Sequence, residues 1–560
     1  RRRDRAVLCQ FQELSSMRST LPVSSWLLAA IAFQPGRADL PVHCLRHRIA
    51  GDWEFVLGPT SSERSACGHR HPDSPDAQPT LDFVSKQGPS STLRLSLEDP
   101  ATVRSSDGAT GTWTMIYDEA FEVAIQDQVF LAFSNFEFIQ DAEKGRTNVS
   151  HCDATQVGWY HNKARTQWGC YVGRKVSAHA EEVAPSSGIR SSRSSRKANA
   201  LAALAAQASQ TFLGPSDDDE GAAANTPEPP LREPEPRQVE VPKSAGYDNP
   251  MPSNWQHSVA QALNFLQLGW TASAYAIFEG KTPRELNRFA GVRHNRPQYD
   301  RQKAPAEARG SFSSFLGVAS KIRRAFGVQD AFDWRNKDGK NWLTPVVTQG
   351  DCGSCYTIST VHMLTARHRI QTQDPSRIEF SMAFPLYCSE YNQGCDGGYG
   401  FLQSKWSEDI GLVPESCMPF SEGGGSCHAL KGCALGSSRF RATNHHYVGG
   451  YYGASEETLI RAELVARGPV VMSFEPREDF MYYKSGVYKS GPNKIHQEWE
   501  QVDHAVLLIG YGEDEGQPYW TMQNSWGTDW GEGGYFRMFR GQDESGCESI
   551  VVAAEVVEES

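Results

Sequence analysis

Gln349-Gly350-Asp351-Cys352-Gly353-Ser354-Cys355-Tyr356-Thr357 is the stretch on which the reading of the whole chain turns, because it sets two cysteines and an amide side chain within nine residues. After Cys355 the pattern becomes helical, with Ile358, Val361, Met363, Leu364, Ala366 and Ile370 falling mostly on one face. The Cys355 thiol is therefore expected at a helix N-terminus, where the positive end of the helix favours a thiolate. A partner for its proton is offered by His504 in DHAVLLIGYG, and an orienting amide by Asn524 in YWTMQNSWG, both beside strand-like runs. Cys, His and Asn form a triad suited to acyl transfer. Gln349, six residues before Cys355, is placed to donate to the oxyanion of a tetrahedral intermediate together with the Cys355 backbone N–H.

QGDCGSC, GCDGG, DHAVLLIGYG and NSWGTDWGEGGYF occur in this order, and a Cys-Gly-Ser-Cys-Tyr core with His and Asn downstream is a papain-type signature. The stretch from about Phe332 to Ala554 resembles the papain-like cysteine peptidases. The resemblance implies an α+β fold, a two-lobed peptidase domain over 328–560 with a helical lobe and a β-barrel lobe. It implies that Gly397 and Gly398 let substrate backbone approach closely, and that the disulfides are Cys352–Cys395, Cys388–Cys427 and Cys417–Cys433, with Cys547 left over. Trp526 and Trp530 are expected to shield the His504–Asn524 pair from water.

One peptidase domain does not fill 560 residues and 62.0 kDa. A net charge of −12 and a pI near 5.8 give no basic field for nucleic acid. Thirteen cysteines are too many for a reduced cytosolic protein, and their spacings do not resemble zinc knuckles, so no metal is expected. The first methionine is Met17; Arg18, the apolar run Leu21 to Phe33 and Gly36-Arg37-Ala38 then read as a signal peptide cleaved after Ala38. Residues 1–16 read as an upstream extension, and the apolar run is too short for a membrane span. A secretory route follows, to a lysosome-like or vacuolar compartment or out of the cell.

From Asp39 to about Lys175 the chain alternates with period two: Trp53, Phe55, Leu57; Leu93, Leu95, Leu97; Trp113, Met115, Tyr117; Phe121, Val123, Ile125; Val129, Leu131, Phe133. This predicts an antiparallel barrel or sandwich. Its four cysteines allow three connectivities, and Asn148 begins a glycosylation sequon.

DLPVHC, GDWEFVLG, YDEAFEVAI, HCDATQVGWY and QWGCYVGRK look like the exclusion domain of the cathepsin C (dipeptidyl peptidase I) family. That resemblance implies an N-terminal all-β exclusion domain over 39–176 and the pairings Cys44–Cys152 and Cys67–Cys170. It also implies a cysteine exopeptidase that removes dipeptides from free N-termini of proteins and peptides, and a homo-oligomer, tetrameric in that family. Asp39, five residues before Cys44, matches the family aspartate that pairs with the substrate α-amine. Chloride, which the family holds near the pocket for the second substrate residue, is expected at Tyr399, Phe401 and Tyr447, with Phe401 where a tyrosine would stand. His445 and His446 are not read as metal ligands, since HYVGGYYG matches a family strand in which Tyr447 matters.

Between about 177 and 254 the composition shifts to Ala, Ser, Pro, Glu and Asp, which reads as a disordered low-complexity insertion. A helix candidate from Trp255 to Leu268 and the stretch GWTASAYAIFEG follow, the latter resembling the family's activation segment. The basic, Pro-containing run from Arg293 to Ala308 is accessible to processing proteases, so 177–327 reads as an excised activation peptide. The rival readings are a papain-like endopeptidase, with the same triad and an open cleft, and an inactive binding scaffold.

Overall fold

The computed structural model describes residues 44–69, 84, 86–141, 145–177, 250, 254–282, 285–286, 289, 330–421, 425–427, 439–477, 479–490 and 504–559, without the side chains of 138–148 and 177. The signal segment, Asp39, most of the 177–254 insertion, the basic run 293–308, Cys433 and Asp503 lie outside the described residues, as does the side chain of Asn148.

The period-two stretches form nine strands: β1 (Gly51–Leu57), β2 (Ser91–Glu98), β3 (Thr102–Ser105), β4 (Thr110–Ile116), β5 (Ala120–Ile125), β6 (Gln128–Asp141), β7 (Gly145–Thr155), β8 (Gly158–Asn162) and β9 (Trp168–Ser177). Neighbours pair antiparallel from β1 to β6; β6 also pairs with β8, β8 with β9, and β9 returns to β1. Eight strands thus close into a barrel with β7 as an outer extension of β6, which decides between barrel and sandwich. Closure removes the free sheet edges. Inward residues Trp53, Phe55, Trp113, Met115, Phe121, Val123 and Phe130 fill the interior, as alternation requires; Leu131 and Phe133, opposite Glu122 and Ala120, lie on the outer face. Cys44–Cys152 and Cys67–Cys170 are both formed.

After the barrel come α1 (Trp255–Phe265), β10 (Trp270–Ala272), β11 (Phe332–Asp333), α2 (Cys355–Gln371), α3 (Gly400–Asp409), β12 (Arg439–Tyr447), α4 (Glu457–Arg467), β13 (Val470–Phe474), β14 (Tyr483–Tyr488), β15 (His504–Asp514), β16 (Gln517–Gln523), β17 (Tyr535–Phe539) and β18 (Ile550–Glu559). The second sheet runs β10-β14-β17-β16-β15-β13-β18-β12. The helix after Cys355 is not amphipathic as expected: every residue from Cys355 to Arg369 is buried. It lies between α3 on one side and β15 and β18 on the other, so its polar residues must be satisfied internally. Arg367, for example, binds Glu463 at 2.9 Å and the Pro469 carbonyl at 2.7 Å.

Cys352–Cys395 and Cys388–Cys427 are formed as expected. Cys417 is also disulfide-bonded, and its expected partner Cys433 is outside the described residues. Cys547 is buried and in no disulfide. Among the described residues no helix is long and apolar enough to cross a membrane.

Candidate active site

Cys355 is the first residue of α2, fully buried, and its loop is tied to the glycine turn by the Cys352–Cys395 bond and by Gly353 N–H donating to the Cys395 carbonyl at 2.8 Å. His504 opens β15, and its Nε2 lies 2.7 Å from Asn524 Oδ1 just past the end of β16. With Nε2–H donated to Asn524, the tautomer leaves Nδ1 as the basic nitrogen. Trp526 covers the imidazole with ring centroids 5.0 Å apart, and Trp530 packs edge-on against Trp526 at the same distance. The expected shielding is therefore direct for Trp526 and one layer removed for Trp530.

Gln349 is held on both ends. Its Oε1 accepts from Ser525 Oγ at 2.6 Å, its Nε2 donates to the Cys352 carbonyl at 3.0 Å, and its backbone N–H donates to the Ser525 carbonyl at 2.9 Å. Ser525 follows Asn524, so one short segment orients both the His504 imidazole and the Gln349 amide. The sequence contained this signal in the NSWG motif, although Ser525 was not among the expected site residues.

Gly397 has a φ of 125°, in the region that disfavours a side chain. A Cβ on Gly398 would meet Asn392 Oδ1 at 2.4 Å, and that oxygen accepts from Tyr399 N–H at 2.9 Å. Gly398 is thus required by packing, whatever binds in front of it.

The barrel reaches the surroundings of Cys355 through the turn between β4 and β5. Tyr117, at φ 52°, stacks on Tyr399 with centroids 3.8 Å apart, and its hydroxyl lies 3.3 Å from Ser473 Oγ on β13. It therefore touches both the residue that precedes α3 and strand β13. Burial pushes the phenol pKa up, and proximity to Cys355 adds to the effect. Glu119, two residues on, accepts from Tyr399 Oη at 2.5 Å. Sequence reading treated Tyr117 as one more barrel residue; nothing in its local pattern marks a side chain that leaves the barrel.

Of the expected chloride residues, Phe401 and Tyr447 stack at 4.5 Å and 15°. The Tyr447 hydroxyl is buried beside the Tyr117 backbone, whereas that of Tyr399 is committed to Glu119. His445, not read as a metal ligand, bridges the two domains. Its Nε2 lies 3.0 Å from Glu122 of β5 and its Nδ1 2.7 Å from Glu408 of α3. Burial alone would lower its pKa, but the two carboxylates outweigh it and raise it to about 10. Nearby, Lys405 of α3 contacts both His161 of β8 at 2.8 Å and Asp409 at 2.5 Å.

The segment from Trp255 onward lies on the peptidase domain. β10 pairs antiparallel with β14, Tyr275 Oη donates to the Tyr483 carbonyl at 2.6 Å, and Phe278 packs edge-on against Trp526. Trp526 Nε1 donates to the Phe289 carbonyl at 3.0 Å. This segment therefore covers the same tryptophan that covers His504.

Residues 328–555 match the family model of the papain family cysteine proteases, and residues 39–175 that of the cathepsin C exclusion domain. Cathepsin B-like CP3 of Giardia intestinalis is 34% identical over 233 residues, 40% of this chain and 73% of that protein. The chain belongs to the papain family of cysteine proteases. Cathepsin C of Schistosoma mansoni is 29% identical over 532 residues, 92% of this chain and 94% of that protein. Together with the exclusion domain, this makes the chain a cathepsin C-like member of the papain family. Among solved structures, digestive procathepsin L2 of Tenebrio molitor larval midgut is similar at 24% identity and a TM-score of 0.42, over 54% of this chain and 89% of that one.

Proposed function

We propose that this papain-family peptidase removes dipeptides from free N-termini, with Cys355 as nucleophile, His504 as general acid and base, Asn524 as its orienter and Gln349 in the oxyanion hole. The Cys355 thiol loses its proton to His504 and attacks the scissile carbonyl. The carbonyl oxygen takes the negative charge opposite the Gln349 amide and the Cys355 N–H. His504 then protonates the leaving amine, and water hydrolyses the acyl-enzyme by the same route reversed.

The observation that carries the dipeptide step is Tyr117, an exclusion-domain side chain that touches both rims of the cleft beside Cys355. A wall at that place leaves room for a short acyl part of fixed length. The charge that counts residues is assigned to Asp39. Cys44 N–H donates to the Asp118 carbonyl at 2.7 Å, so the chain before Cys44 starts next to Tyr117, and five residues reach at most about 17 Å. A carboxylate there rewards a substrate ammonium group and not an internal peptide.

Chloride fits in part: Tyr447 would hold it through its buried hydroxyl, while Glu122 nearby opposes an anion and raises the Tyr447 pKa further beyond the effect of burial. The disulfides favour an oxidising, lysosome-like or extracellular setting. Glycosylation at Asn148, excision of 177–327 by processing proteases and a homo-tetramer complete the reading. The test is to incubate the matured enzyme with peptides of mixed sequence and read the products by mass spectrometry. A ladder of dipeptides is expected; internal fragments would instead favour an endopeptidase.

A further inference from the structure

Behind Cys355 lies a small internal cavity lined by Cys355, Ile358, Ser359, His362, Ala505, Val506, Leu507, Gln523, Asn524 and Ser525, with room for about one water molecule. Three of its lining residues carry a buried polar atom without a protein hydrogen-bond partner: His362 Nε2, Gln523 Oε1 and Asn524 Nδ2. Each of these residues is 3% exposed.

The orientation of the two amides follows from their other bonds. Gln523 Nε2 donates to the Thr344 carbonyl at 2.9 Å and lies 3.4 Å from Tyr535 Oη, so its Oε1 is the end left over. Asn524 Oδ1 faces His504 Nε2 at 2.7 Å and accepts from Ser525 N–H at 2.9 Å, so its Nδ2 is left over. The three atoms are then one donor, one acceptor and one imidazole nitrogen that takes either role by its tautomer. No pair of them can satisfy all three. A single water, with two hydrogens to give and two lone pairs to receive, can.

We propose that His362 is a positioning residue for the catalytic pair: with Gln523 and Asn524 it holds one internal water behind Cys355, and this water fixes the Asn524 amide in the orientation that His504 requires. His362 stands two turns after Cys355 on α2, on the face that Cys355 and Ser359 share. If the Asn524 amide turned over, two N–H groups would face each other and His504 would lose its orienting bond. Giving Nδ2 an acceptor on the cavity side opposes that turn. The imidazole serves in its neutral form. Burial lowers its pKa to about 4, the nearby Gln523 amide partly opposes this, and Arg369 on the same helix adds to it; the other cavity-lining residues outside the triad are uncharged.

This rests on the Cys355–His504 chemistry proposed above and is independent of the dipeptide step. The experiment compares matured wild type, His362→Leu and His362→Gln, reading kcat and KM on a dipeptide reporter and the pH profile of Cys355 alkylation by iodoacetamide. Loss of one buried hydrogen bond predicts that His362→Leu lowers kcat about tenfold with KM nearly unchanged and slows alkylation, and that His362→Gln recovers most of both. A crystal structure of the wild type should place solvent within hydrogen-bond distance of all three atoms. A folded His362→Leu with wild-type kcat and alkylation profile overturns the proposal, as does a His362→Gln that is equally impaired. A wild type that hydrolyses no peptide overturns instead the peptidase reading beneath it.

Discussion

Glu122 of the exclusion domain and His445 of the peptidase domain meet at 3.0 Å although they stand 323 positions apart. Glu408 closes the bridge from the far side, and Arg165 of the exclusion domain reaches Glu408 at 3.2 Å. With Lys405, Asp409 and His161 alongside, the join between the domains is a buried network of charge.

Its pH dependence follows from the shifts. His445 is raised from 6.5 to about 10, so its contribution is complete below about 6.5 and is lost as the pH rises through 10. Glu408 would be raised by burial but is pulled down to about 2, chiefly by His445; its contribution is complete above about 4.5 and is lost as the pH falls through 2. Both are fully present only between about pH 4.5 and 6.5. His445→Ala, which leaves two carboxylates facing each other, should weaken the domain junction by roughly 3–5 kcal/mol. Thermal unfolding of both proteins across pH 3–9 checks this; equal melting temperatures for the two at pH 5.5 would sink it.

Gln349→Ala should cost roughly 2.7–4 kcal/mol of transition-state stabilisation, the range for one oxyanion donor. Ser525→Ala should lose less, because it removes only the bond that holds Gln349 Oε1. Comparing kcat/KM of the two variants decides it, and full activity in Gln349→Ala would remove that residue from the oxyanion hole.

Asp39→Ala and Asp39→Asn should lose activity on a peptide with a free amine while gaining nothing on its N-acetylated twin. The loss is of several kcal/mol, as when one partner of a desolvated ion pair is removed. If wild type cleaves both peptides equally well, the anchor lies elsewhere.

Phe278 is 1% exposed and seated against Trp526. Phe278→Ala should weaken the docking of the segment by about 3–5 kcal/mol. The readout is labelling of Cys355 by a bulky thiol reagent in the uncut chain, expected to be faster in the variant. An unchanged rate would show that covering Trp526 does not restrict the thiol.

Tyr447→Phe removes the buried hydroxyl that would hold chloride. Wild-type activity should fall on exhaustive dialysis against a chloride-free buffer and return with added chloride, and the variant should show neither response. Wild-type activity indifferent to chloride would dismiss a functional ion.

The parts of this arrangement that could be read from sequence are those whose information is local. Cys355 starts a helix, His504 starts a strand and Asn524 ends one, each inside its own motif. The alternation from Trp53 to Ile125 marked the inward face of the exclusion domain, while on β6 the run Val129, Leu131, Phe133 turned out to be the outer face; closure depends on β1 pairing with β9 across more than a hundred positions, and no short window contains that. His445 shows the same limit: its role exists only because Glu122 arrives from another domain, 323 positions away. His362 was hidden differently. The helical pattern predicted one buried face, and a histidine four residues from both Ile358 and Ala366 reads as a polar interruption of that face until Gln523 and Asn524 are seen to arrive beside it from the other end of the sequence.

All four described disulfides close within a single domain: two inside 44–170 and two inside 352–427. None of these bonds crosses from the barrel to the peptidase, so once the linker between them is cut, the two pieces stay together by association alone. Their union then obeys mass action and depends on concentration. Under the proposed function, diluting the matured enzyme below the dissociation constant of its own parts would release the wall at Tyr117 and leave the same thiol in an open cleft. How many residues the enzyme takes at each cut is then a property of an assembly and its abundance, even though every bond is broken by one chain.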